Sequence, residues 1–297
     1  MNRPLIIGTR GSALAQAQVE LFKKALVAHS VAVPVEIRKI ATTGDRQQEI
    51  KAPPASGAGL KGLFTKEIED ALLDESIDVA VHSLKDLPGK IAADLTVAAV
   101  LERADPSDVL IAKHACALNE LPSKATVATS SIRRTRQLRW LRPDLRIEQI
   151  RGNVPTRVEK LRREKSWDAI VLARAGLDRL GLQFADLQVS ELPILPAIGQ
   201  GAIALQSRCD STEVNRLLAA VNHLPTFLCI RAERELLRLL NGDCNLPIGV
   251  RSTMDGEELE MEAVLFGEGD TPLHAISSGF ATEPERIAEK VYEQLTG

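Results

Sequence analysis

Cysteine is scarce in this chain, and the spacing of its cysteines excludes the usual structural uses of the thiol. The four of them, Cys116, Cys209, Cys229 and Cys244, lie far apart, with no C-x-x-C pair and no histidine at zinc-finger spacing. A structural zinc site and a disulfide framework both require a different pattern. We therefore expect free thiols and no metal centre.

Long apolar runs are also missing. No stretch approaches the about 18 consecutive apolar residues that a membrane helix needs. The apolar run near the start is interrupted by Gly8, Thr9 and Arg10, unlike that of a signal peptide. The 297 residues are 44% hydrophobic and 26% charged, which is typical of a globular protein with two or three domains. We expect a cytoplasmic protein with no membrane partner.

A large net charge is absent as well, since the formal charge of the whole chain is −3. Residues 129–165 nevertheless hold twelve Lys and Arg against four Asp and Glu. Trp140 is the only aromatic residue of this window, and no nucleic-acid-reading motif accompanies it, so no nucleic-acid partner is expected. Arg162, Arg163 and Lys165 are predicted to lie on the solvated face of a helix.

Strand-like and helix-like segments alternate through the first two thirds of the chain, which predicts an α/β fold with helical crossovers. "LIIGTR" is followed by a predicted helix whose apolar face comprises Leu14, Ala17, Leu21 and Ala25. Further predicted strands are "VEIRKI", "IDVAVHS", "LTVAAVL", "DVLIA", "TVATSS", "RIEQIRG", "DAIVLARAG" and "GAIALQS". Several are apolar at nearly every residue, as in a parallel sheet that is covered on both faces.

The pattern changes after Pro225, where a long helix is followed by strand-like runs separated by Asp255-Gly256 and by the glycine-rich residues 267–270. A final helix completes a small α+β domain. "GAIALQS" suits a chain that starts one domain, builds a second and returns, although spacing alone does not establish the return. We predict domain 1 at 1–101 and 200–221, domain 2 at 102–199 and domain 3 at 222–297.

Cys244 lies in "LLNGDCNLPIG", among residues that favour turns. A thiol on a loop is placed where a ligand can reach it, whereas Cys116 and Cys229 lie in apolar or helical runs and are predicted to be core residues. Residues 46–62 have no usable period, and a lid and a plain flexible insertion fit them equally well.

Two stretches of the basic window indicate an anion site. "TVATSSIRR" ends a strand with Thr129, Ser130 and Ser131 and then begins a helix, a turn that presents N–H and hydroxyl groups to an anion. Arg133 and Arg134 in the first helical turn oppose the helix dipole, which predicts that something negative is bound nearby. The apolar face of that helix is predicted to comprise Ile132, Leu138 and Leu141.

The second stretch, "RGNVPTR", turns the chain at Gly152 and Asn153 between Arg151 and Arg157. Arginine binds carboxylates through forked donors, and ligands of α/β sheets bind at the carboxyl ends of strands. Arg10 in "GTRGS" and Arg174 in "LARAGL" occupy comparable predicted strand ends.

"DVAVHSLKDLP" brings His82, Ser83, Lys85 and Asp86 to the end of a buried strand. An ordinary surface turn would also accommodate Lys85 and Asp86, but the strand-end position favours a functional role. A carboxylate there could stabilise a cation.

With these motifs in place, the chain resembles the porphobilinogen deaminase family. The resemblance rests on "GTRGS", "GLFTKEIEDAL", "HSLKDLP", "TSSIRR", "RGNVPTR", "LARAGL", "LPAIGQGAIALQSR" and the Cys244 loop, in family order over nearly the whole chain. It implies two periplasmic-binding-protein-like (type II) α/β domains with an active cleft between them, a small α+β C-terminal domain, and a monomer. A two-lobed module that binds a small anion without catalysis and a degenerate family member are the alternatives.

The resemblance also implies a chemistry, that of a transferase of tetrapyrrole and heme biosynthesis. Four porphobilinogen molecules lose ammonia and are joined head to tail on a dipyrromethane cofactor, which a thioether holds to Cys244, and hydrolysis then releases the linear tetrapyrrole. Asp86 is the implied catalytic residue. The implied cofactor- and substrate-binding residues are Arg10, Ser12, Phe64, Lys85, Thr129, Ser130, Ser131, Arg133, Arg134, Arg151, Gly152, Asn153, Arg157, Arg174 and Gln200. Gly242-Asp243 stands where the family usually has two glycines before the cysteine, and "GAGLKGLF" replaces the usual lid motif.

Overall fold

The computed structural model describes residues 3–44, 65–242, 246–267 and 271–297. The chain divides into two compact units, Met1–Ala104 with Ala202–Leu228 and Asp105–Gly201 with Cys229–Gly297. The chain therefore leaves the first unit, builds part of the second and returns to the first before it completes the second. The finer division into three domains stays a prediction.

Strands and helices alternate along the described chain as the sequence pattern indicates. The strands are β1 (Leu5–Thr9), β2 (Val35–Lys39), β3 (Val79–Ser83), β4 (Leu95–Val100), β5 (Asp108–Ala112), β6 (Thr126–Ala128), β7 (Arg146–Glu148), β8 (Ala169–Ala173), β9 (Gln188–Glu191), β10 (Ile203–Arg208), β11 (Ile248–Asp255), β12 (Glu258–Leu265) and β13 (Leu273–Phe280). The helices are α1 (Ala13–Ala28), α2 (Lys66–Leu73), α3 (Ile132–Leu141), α4 (Val154–Arg163), α5 (Arg174–Arg179), α6 (Thr212–Ala220), α7 (Leu224–Leu239) and α8 (Pro284–Thr296). Two single turns of 3-10 helix cover Leu84–Asp86 and Leu118–Glu120.

The sheet of the first unit has the strand order β2-β1-β3-β10-β4. β1 runs parallel to β2 and β3, whereas β10 runs antiparallel to both β3 and β4. Leu205 of β10 lies opposite Val81 of β3 and Ala99 of β4. The returning segment thus fills the interior of the first sheet, which the spacing of the sequence alone did not establish.

The sheet of the second unit repeats this arrangement, with the order β7-β6-β8-β5-β9. β6 pairs in parallel with β7 and β8, and β5 is antiparallel to β8 and β9. The predicted α/β class is confirmed, but an all-parallel sheet is not what these strands form. β5 is apolar beyond Asp108 because it is covered on both faces, with Leu110 in one core cluster and Val109 and Ile111 in the other. Burial on both faces, and not strand direction, accounts for its composition.

The C-terminal part is a three-stranded antiparallel sheet, β11-β12-β13, against which α8 packs. The hairpin turn between β11 and β12 falls at Asp255-Gly256, as predicted, and Gly256 adopts a positive φ of 58°. Part of the second predicted turn, residues 268–270, lies outside the described residues. Ile287 and Val291 of α8 are fully or almost fully buried, so the predicted small α+β C-terminal element is present.

The buried face of α1 differs from the predicted one. The buried apolar residues of this helix are Ala15, Val19, Phe22 and Leu26. Of the predicted face, Ala25 packs against the core, whereas Leu21 is 37% exposed. Ala-rich helices offer several stripes at helical spacing, and the stripe that carries the one aromatic residue, Phe22, is the one that packs against β1 and β3.

Leu205 is fully buried between the two neighbours of β10. Leu205→Ala should lower the free energy of unfolding by about 2–5 kcal/mol, because it leaves a cavity in the centre of the first core. Leu21→Ala is the matched control in the same unit and should cost about 1 kcal/mol or less, since its side chain is already partly solvated. Urea unfolding of both variants checks this, and equal losses would contradict a structural role for the returning strand.

Candidate functional site

The predicted cofactor anchor, Cys244, lies outside the described residues, as do Phe64 and the predicted lid at 46–62. Among the other thiols, Cys229 of α7 is buried, as predicted. Cys116 is exposed, so its prediction as a core residue is wrong. β5 ends at Ala112, before Cys116, and Ala115 is the residue of the following turn that is buried in the core.

In the first unit, two predicted residues meet at the ends of neighbouring strands. β1 leads to Arg10, and β3 leads through its end into the 3-10 turn that carries Lys85 and Asp86. Because β1 and β3 are adjacent and parallel, with Ile7 opposite Val79, their carboxyl ends lie at one edge of the sheet. Arg10 Nη1 and Asp86 Oδ2 are 3.9 Å apart, and the Asp86 side chain is 37% exposed.

Ser12 follows at the same edge and serves as the N-cap of α1, where its Oγ accepts a hydrogen bond from the Ala15 N–H at 3.2 Å. This cap is a structural role for a residue that the resemblance assigns to ligand binding. Its hydroxyl retains donor capacity.

His82 lies directly below this edge, and its surroundings keep it neutral. Burial, with some help from the charge of Arg10, lowers the pKa of His82 to about 4, although its hydrogen bond to Gln206 acts in the opposite direction. His82 Nε2 and Gln206 Oε1 are 3.0 Å apart, and Gln206 Nε2 donates to Glu69 at 2.8 Å. With the Gln206 amide donating to Glu69, its oxygen faces His82, so the histidine proton resides on Nε2. Sequence analysis placed this residue but did not predict its state.

In the second unit, the three hydroxyl residues before α3 hold the turn together. Thr129 Oγ1 accepts from the Ser131 N–H at 3.3 Å, and Ser131 Oγ accepts from the Arg134 N–H at 3.4 Å. Ser130 Oγ donates to the Ile150 carbonyl at 2.6 Å and accepts from its N–H at 3.1 Å. These bonds join the strand end at β6 to the one that follows β7.

The negative group predicted from Arg133 and Arg134 is a carboxylate of the chain itself. Arg133 Nη1 donates to Asp108 Oδ2 at 2.6 Å, and Arg134 donates to Asp108 Oδ1 from Nε at 3.0 Å and from Nη2 at 2.7 Å. All three side chains are buried. Asp108 was missed by the sequence analysis, although a charged residue that opens an otherwise apolar strand is a visible signal.

Electrostatics keep Asp108 ionised despite its burial. Burial alone would raise the pKa of Asp108, but the guanidinium charges of Arg133 and then Arg134, with hydrogen bonds from Arg133 and Gln200, outweigh it and hold this pKa well below its usual range. Two cations share one anion, so the cluster retains one positive charge. It lies at the N-terminus of α3, where the helix dipole also favours a negative ligand.

This cluster changes which face of α3 is buried. Arg133, Arg134, Gln137 and Leu138 are buried, and Leu141 packs against the same core as Leu138. Ile132 is 43% exposed, so the predicted apolar face is wrong at Ile132 and omits the buried polar residues. Polar side chains enter the interior because each finds a partner there: Gln137, for example, binds both the N–H and the carbonyl of residue 195, at 2.7 and 3.0 Å.

Gln200 joins the same cluster from a distant part of the sequence. Its Nε2 donates to the Pro106 carbonyl at 2.8 Å and to Asp108 Oδ1 at 2.9 Å. The preceding residue is held as well, because the Gly199 N–H donates to Glu233 Oε2 of α7 at 2.7 Å. The predicted ligand-binding role of Gln200 thus coexists with a structural one.

The turn of "RGNVPTR" is built as its residue types predict. Gly152 has a φ of +118°, and a Cβ there would lie 2.8 Å from Thr156 Cγ2, so this position requires glycine. Asn153 caps α4 by accepting from the Thr156 N–H at 3.0 Å. Arg157 Nε donates to the Gly152 carbonyl at 2.7 Å, while Arg151 is exposed at the start of the turn.

Two arginines of α5 differ in their partners. Arg174, the predicted site residue, is exposed and pairs with Asp178 one turn along the helix, at 3.0 Å. Arg179 was not predicted, and no simple pattern marks it. Its Nη2 donates to the Gly201 carbonyl at 2.6 Å, its buried Nε has no hydrogen-bond partner among the described residues, and burial lowers its pKa to about 10. Arg179 is therefore a charged donor suited to an anion.

Each unit holds positively charged donors of its own. The Asp108 cluster has an uncompensated positive charge, Arg179 has an unsatisfied N–H, and Arg10 and Arg151 lie at strand ends. Within the described ranges, no group of three His, Cys, Asp or Glu side chains is arranged to hold a metal ion. None of the described helices is both long and apolar enough to cross a bilayer.

The low pKa of His82 predicts a specific pH dependence of stability. Between pH 6.5 and about 4 the unfolded chain binds a proton that the folded chain does not, so the free energy of unfolding should fall by up to about 3 kcal/mol over this interval as the pH is lowered. His82→Gln keeps a donor toward Gln206 and removes the titration, so this component should disappear. Exposed His114→Gln is the control. Urea unfolding from pH 7 to pH 4 tests this, and identical slopes for His82→Gln and the unaltered chain would refute it.

Comparison with known proteins identifies the family of the chain. Residues 5–216 match the family model described as porphobilinogen deaminase, dipyromethane cofactor binding domain, and residues 227–296 match that of the porphobilinogen deaminase C-terminal domain. Porphobilinogen deaminase of Roseiflexus sp. (strain RS-1) is 44% identical over 99% of this chain and 96% of that protein. Porphobilinogen deaminase of Desulforudis audaxviator is 42% identical over 99% and 95%.

Solved structures of low sequence identity are also similar. The second substrate binding domain of an amino acid ABC transporter from Streptococcus pneumoniae has a TM-score of 0.46 at 14% identity, covering 78% of this chain and 96% of that one. An ancestral cationic amino acid solute binding protein has a TM-score of 0.43 at 15% identity, covering 79% and 95%.

The family models cover nearly the whole chain, and the relatives match it along its full length. The strand-end motifs that carried the resemblance are all present in the matched region. The chain belongs to the porphobilinogen deaminase family, whose members are transferases.

Proposed function

We propose that this chain joins four porphobilinogen molecules on a primer anchored at Cys244, with Asp86 as the catalytic carboxylate. The observation that carries the proposal is the state of Asp86. It lies at a strand end, 37% exposed, and its contact with Arg10 is long at 3.9 Å. A carboxylate that is both accessible and only loosely paired is available to a cationic reactant.

The substrate chemistry fits the remaining cations. Each porphobilinogen carries an acetate and a propionate group, so every added ring brings two carboxylates. Forked arginine donors suit them, and the single excess charge of the Asp108 cluster gives one such carboxylate a partner. The proposed binding residues are those named from the resemblance, together with Arg179.

The proposed chemical step uses fixed charge. Loss of ammonia from porphobilinogen leaves a cation, and Asp86 accepts hydrogen bonds from pyrrole N–H groups while its charge offsets the developing positive charge. Lys85, next to Asp86 in the 3-10 turn, is proposed to bind a carboxylate of the substrate. His82 is neutral at pH 7, so it adds no positive charge that would compete with the substrate cation for Asp86.

The family's dipyrromethane, when bound, supplies the nucleophilic pyrrole carbon from which the chain grows. In this protein, Cys244 would hold it through a thioether, and Ser12, Thr129 and Ser131 would offer hydroxyl groups to its carboxylates. Ser130 would contribute by holding the turn, because its hydroxyl proton is donated to the Ile150 carbonyl. A monomer in the cytoplasm is the proposed working form. The match to a family of enzymes disfavours the alternative of a binding module without catalysis.

The covalent anchor is tested by mass. The denatured, freshly purified chain should be heavier than its sequence by two pyrrole units, and peptide mapping should place the addition on Cys244. Cys116→Ser and Cys209→Ser each remove a thiol that is exposed in the described part of the chain and should retain the adduct, whereas Cys244→Ser should lose it. An adduct that persists in Cys244→Ser would overturn the assignment.

Asp86→Asn tests the catalytic role. It keeps the size of the side chain but removes its charge, so each condensation should slow by about a hundredfold or more, which corresponds to about 3 kcal/mol. Asp94→Asn, an exposed control in the same unit, should have the normal rate. Single-turnover formation of enzyme–substrate intermediates is measured by mass spectrometry on protein that already carries the adduct. A normal rate for Asp86→Asn would show that its carboxylate is structural.

A further inference from the structure

One buried carboxylate, Asp108, holds three separate segments of the second unit. It begins β5, and it accepts hydrogen bonds from Arg133 and Arg134 at the start of α3 and from Gln200 just before β10. We propose that Asp108 is a positioning residue of the anion site: it fixes the orientation of the arginines for substrate carboxylates without touching the substrate itself. This inference rests on the proposed function.

The hydrogen bonds fix both guanidinium groups at several points. Arg134 places Nε and Nη2 on Asp108 Oδ1 and Nη1 on the Val171 carbonyl at 2.9 Å. Arg133 Nη1 bridges Asp108 Oδ2 and the Leu195 carbonyl, each at 2.6 Å. A planar group that is held at two or more points keeps one orientation, so little rotational freedom is left to lose when a carboxylate binds.

The charge of Asp108 sets the strength of the site as well as its geometry. One carboxylate against two guanidinium groups leaves one positive charge in the cluster. In Asp108→Asn two like charges would face each other without a counterion, and the two side chains would move apart. The site would then retain its cations but lose their arrangement.

Gln200 extends this arrangement toward the returning segment. Its bond to Asp108 Oδ1 and the bond of the Gly199 N–H to Glu233 hold two consecutive residues from opposite sides. Asp108 therefore connects the arginine pair to a turn that α7 also holds.

Asp108→Asn is compared with Asp144→Asn in the full-length protein. Asp144 also binds an arginine, with Arg142 Nε at 2.7 Å and Nη2 at 2.9 Å, but it is partly exposed and lies beyond the other end of α3. Asp108→Asn should lower the fraction of purified chains that carry the adduct, measured by intact mass. In the chains that do carry the adduct, Asp108→Asn should raise KM for porphobilinogen about tenfold with a smaller change in kcat. The reason is that the bound substrate and the transition state lose the same contact. Asp144→Asn should change neither quantity by more than about twofold.

A double-mutant cycle distinguishes positioning from general destabilisation. If Asp108 acts through Arg133, then Asp108→Asn should add little to the KM of Arg133→Met, and the two effects should not multiply. Multiplied effects, or a normal KM and normal adduct fraction in Asp108→Asn, would overturn the inference. If Asp108→Asn does not fold, Gln200→Met removes one bond to the same carboxylate without changing the charge. It should raise KM severalfold, and again should add little to Arg133→Met.

Failure of the proposed function gives a different result. In that case the unaltered chain itself would carry no adduct and would not consume porphobilinogen. If the unaltered chain is active and Asp108→Asn has a normal adduct fraction and a normal KM, only the inference about Asp108 is overturned.

Discussion

The second unit depends on one ionic cluster, in which Asp108 is buried with Arg133 and Arg134. Removing three charges from water is costly, and Coulomb attraction repays that cost only when the geometry is good and other hydrogen bonds are made. Here both carboxylate oxygens are used, and carbonyls of residues 171 and 195 accept further bonds. The cluster joins β5, α3 and the segment before β10, so the positions of these elements depend on one another.

Two aspartates of this chain have the contrasting environments that the structural role of Asp108 and the proposed chemical role of Asp86 require. Asp108 is fully buried, has two arginine partners and a pKa well below its usual range. Asp86 is partly exposed, and Arg10 is 3.9 Å away. The first has its charge committed to the fold, whereas the second can meet a cation that arrives with the substrate. Residue type is the same in both cases, and the difference comes from burial and partners.

The two five-stranded sheets place their motifs by the same means. In each, three neighbouring strands run parallel and a fourth, β10 or β5, runs antiparallel from the segment that connects the units. Parallel neighbours have their carboxyl ends at one edge, so residues far apart in sequence, such as Arg10 and Asp86, come together there. This topology thus gathers polar side chains from short, separate turns.

The sequence by itself determined the local features: alternating strands and helices, the cap at Asn153, the turn at Gly152, the hairpin at Asp255-Gly256, and the motifs that identify the family. Each of these depends on residues a few positions apart, so periodicity and turn chemistry reveal them. The direction of β5 and β10, the buried faces of α1 and α3, the neutral state of His82 and the role of Asp108 were decided only by the tertiary structure. These depend on partners such as Arg133, which is 25 residues from Asp108, and Gln200, which is 92 residues away. A buried charge is stable only where the fold brings such a partner into contact with it, and no local sequence pattern specifies that contact.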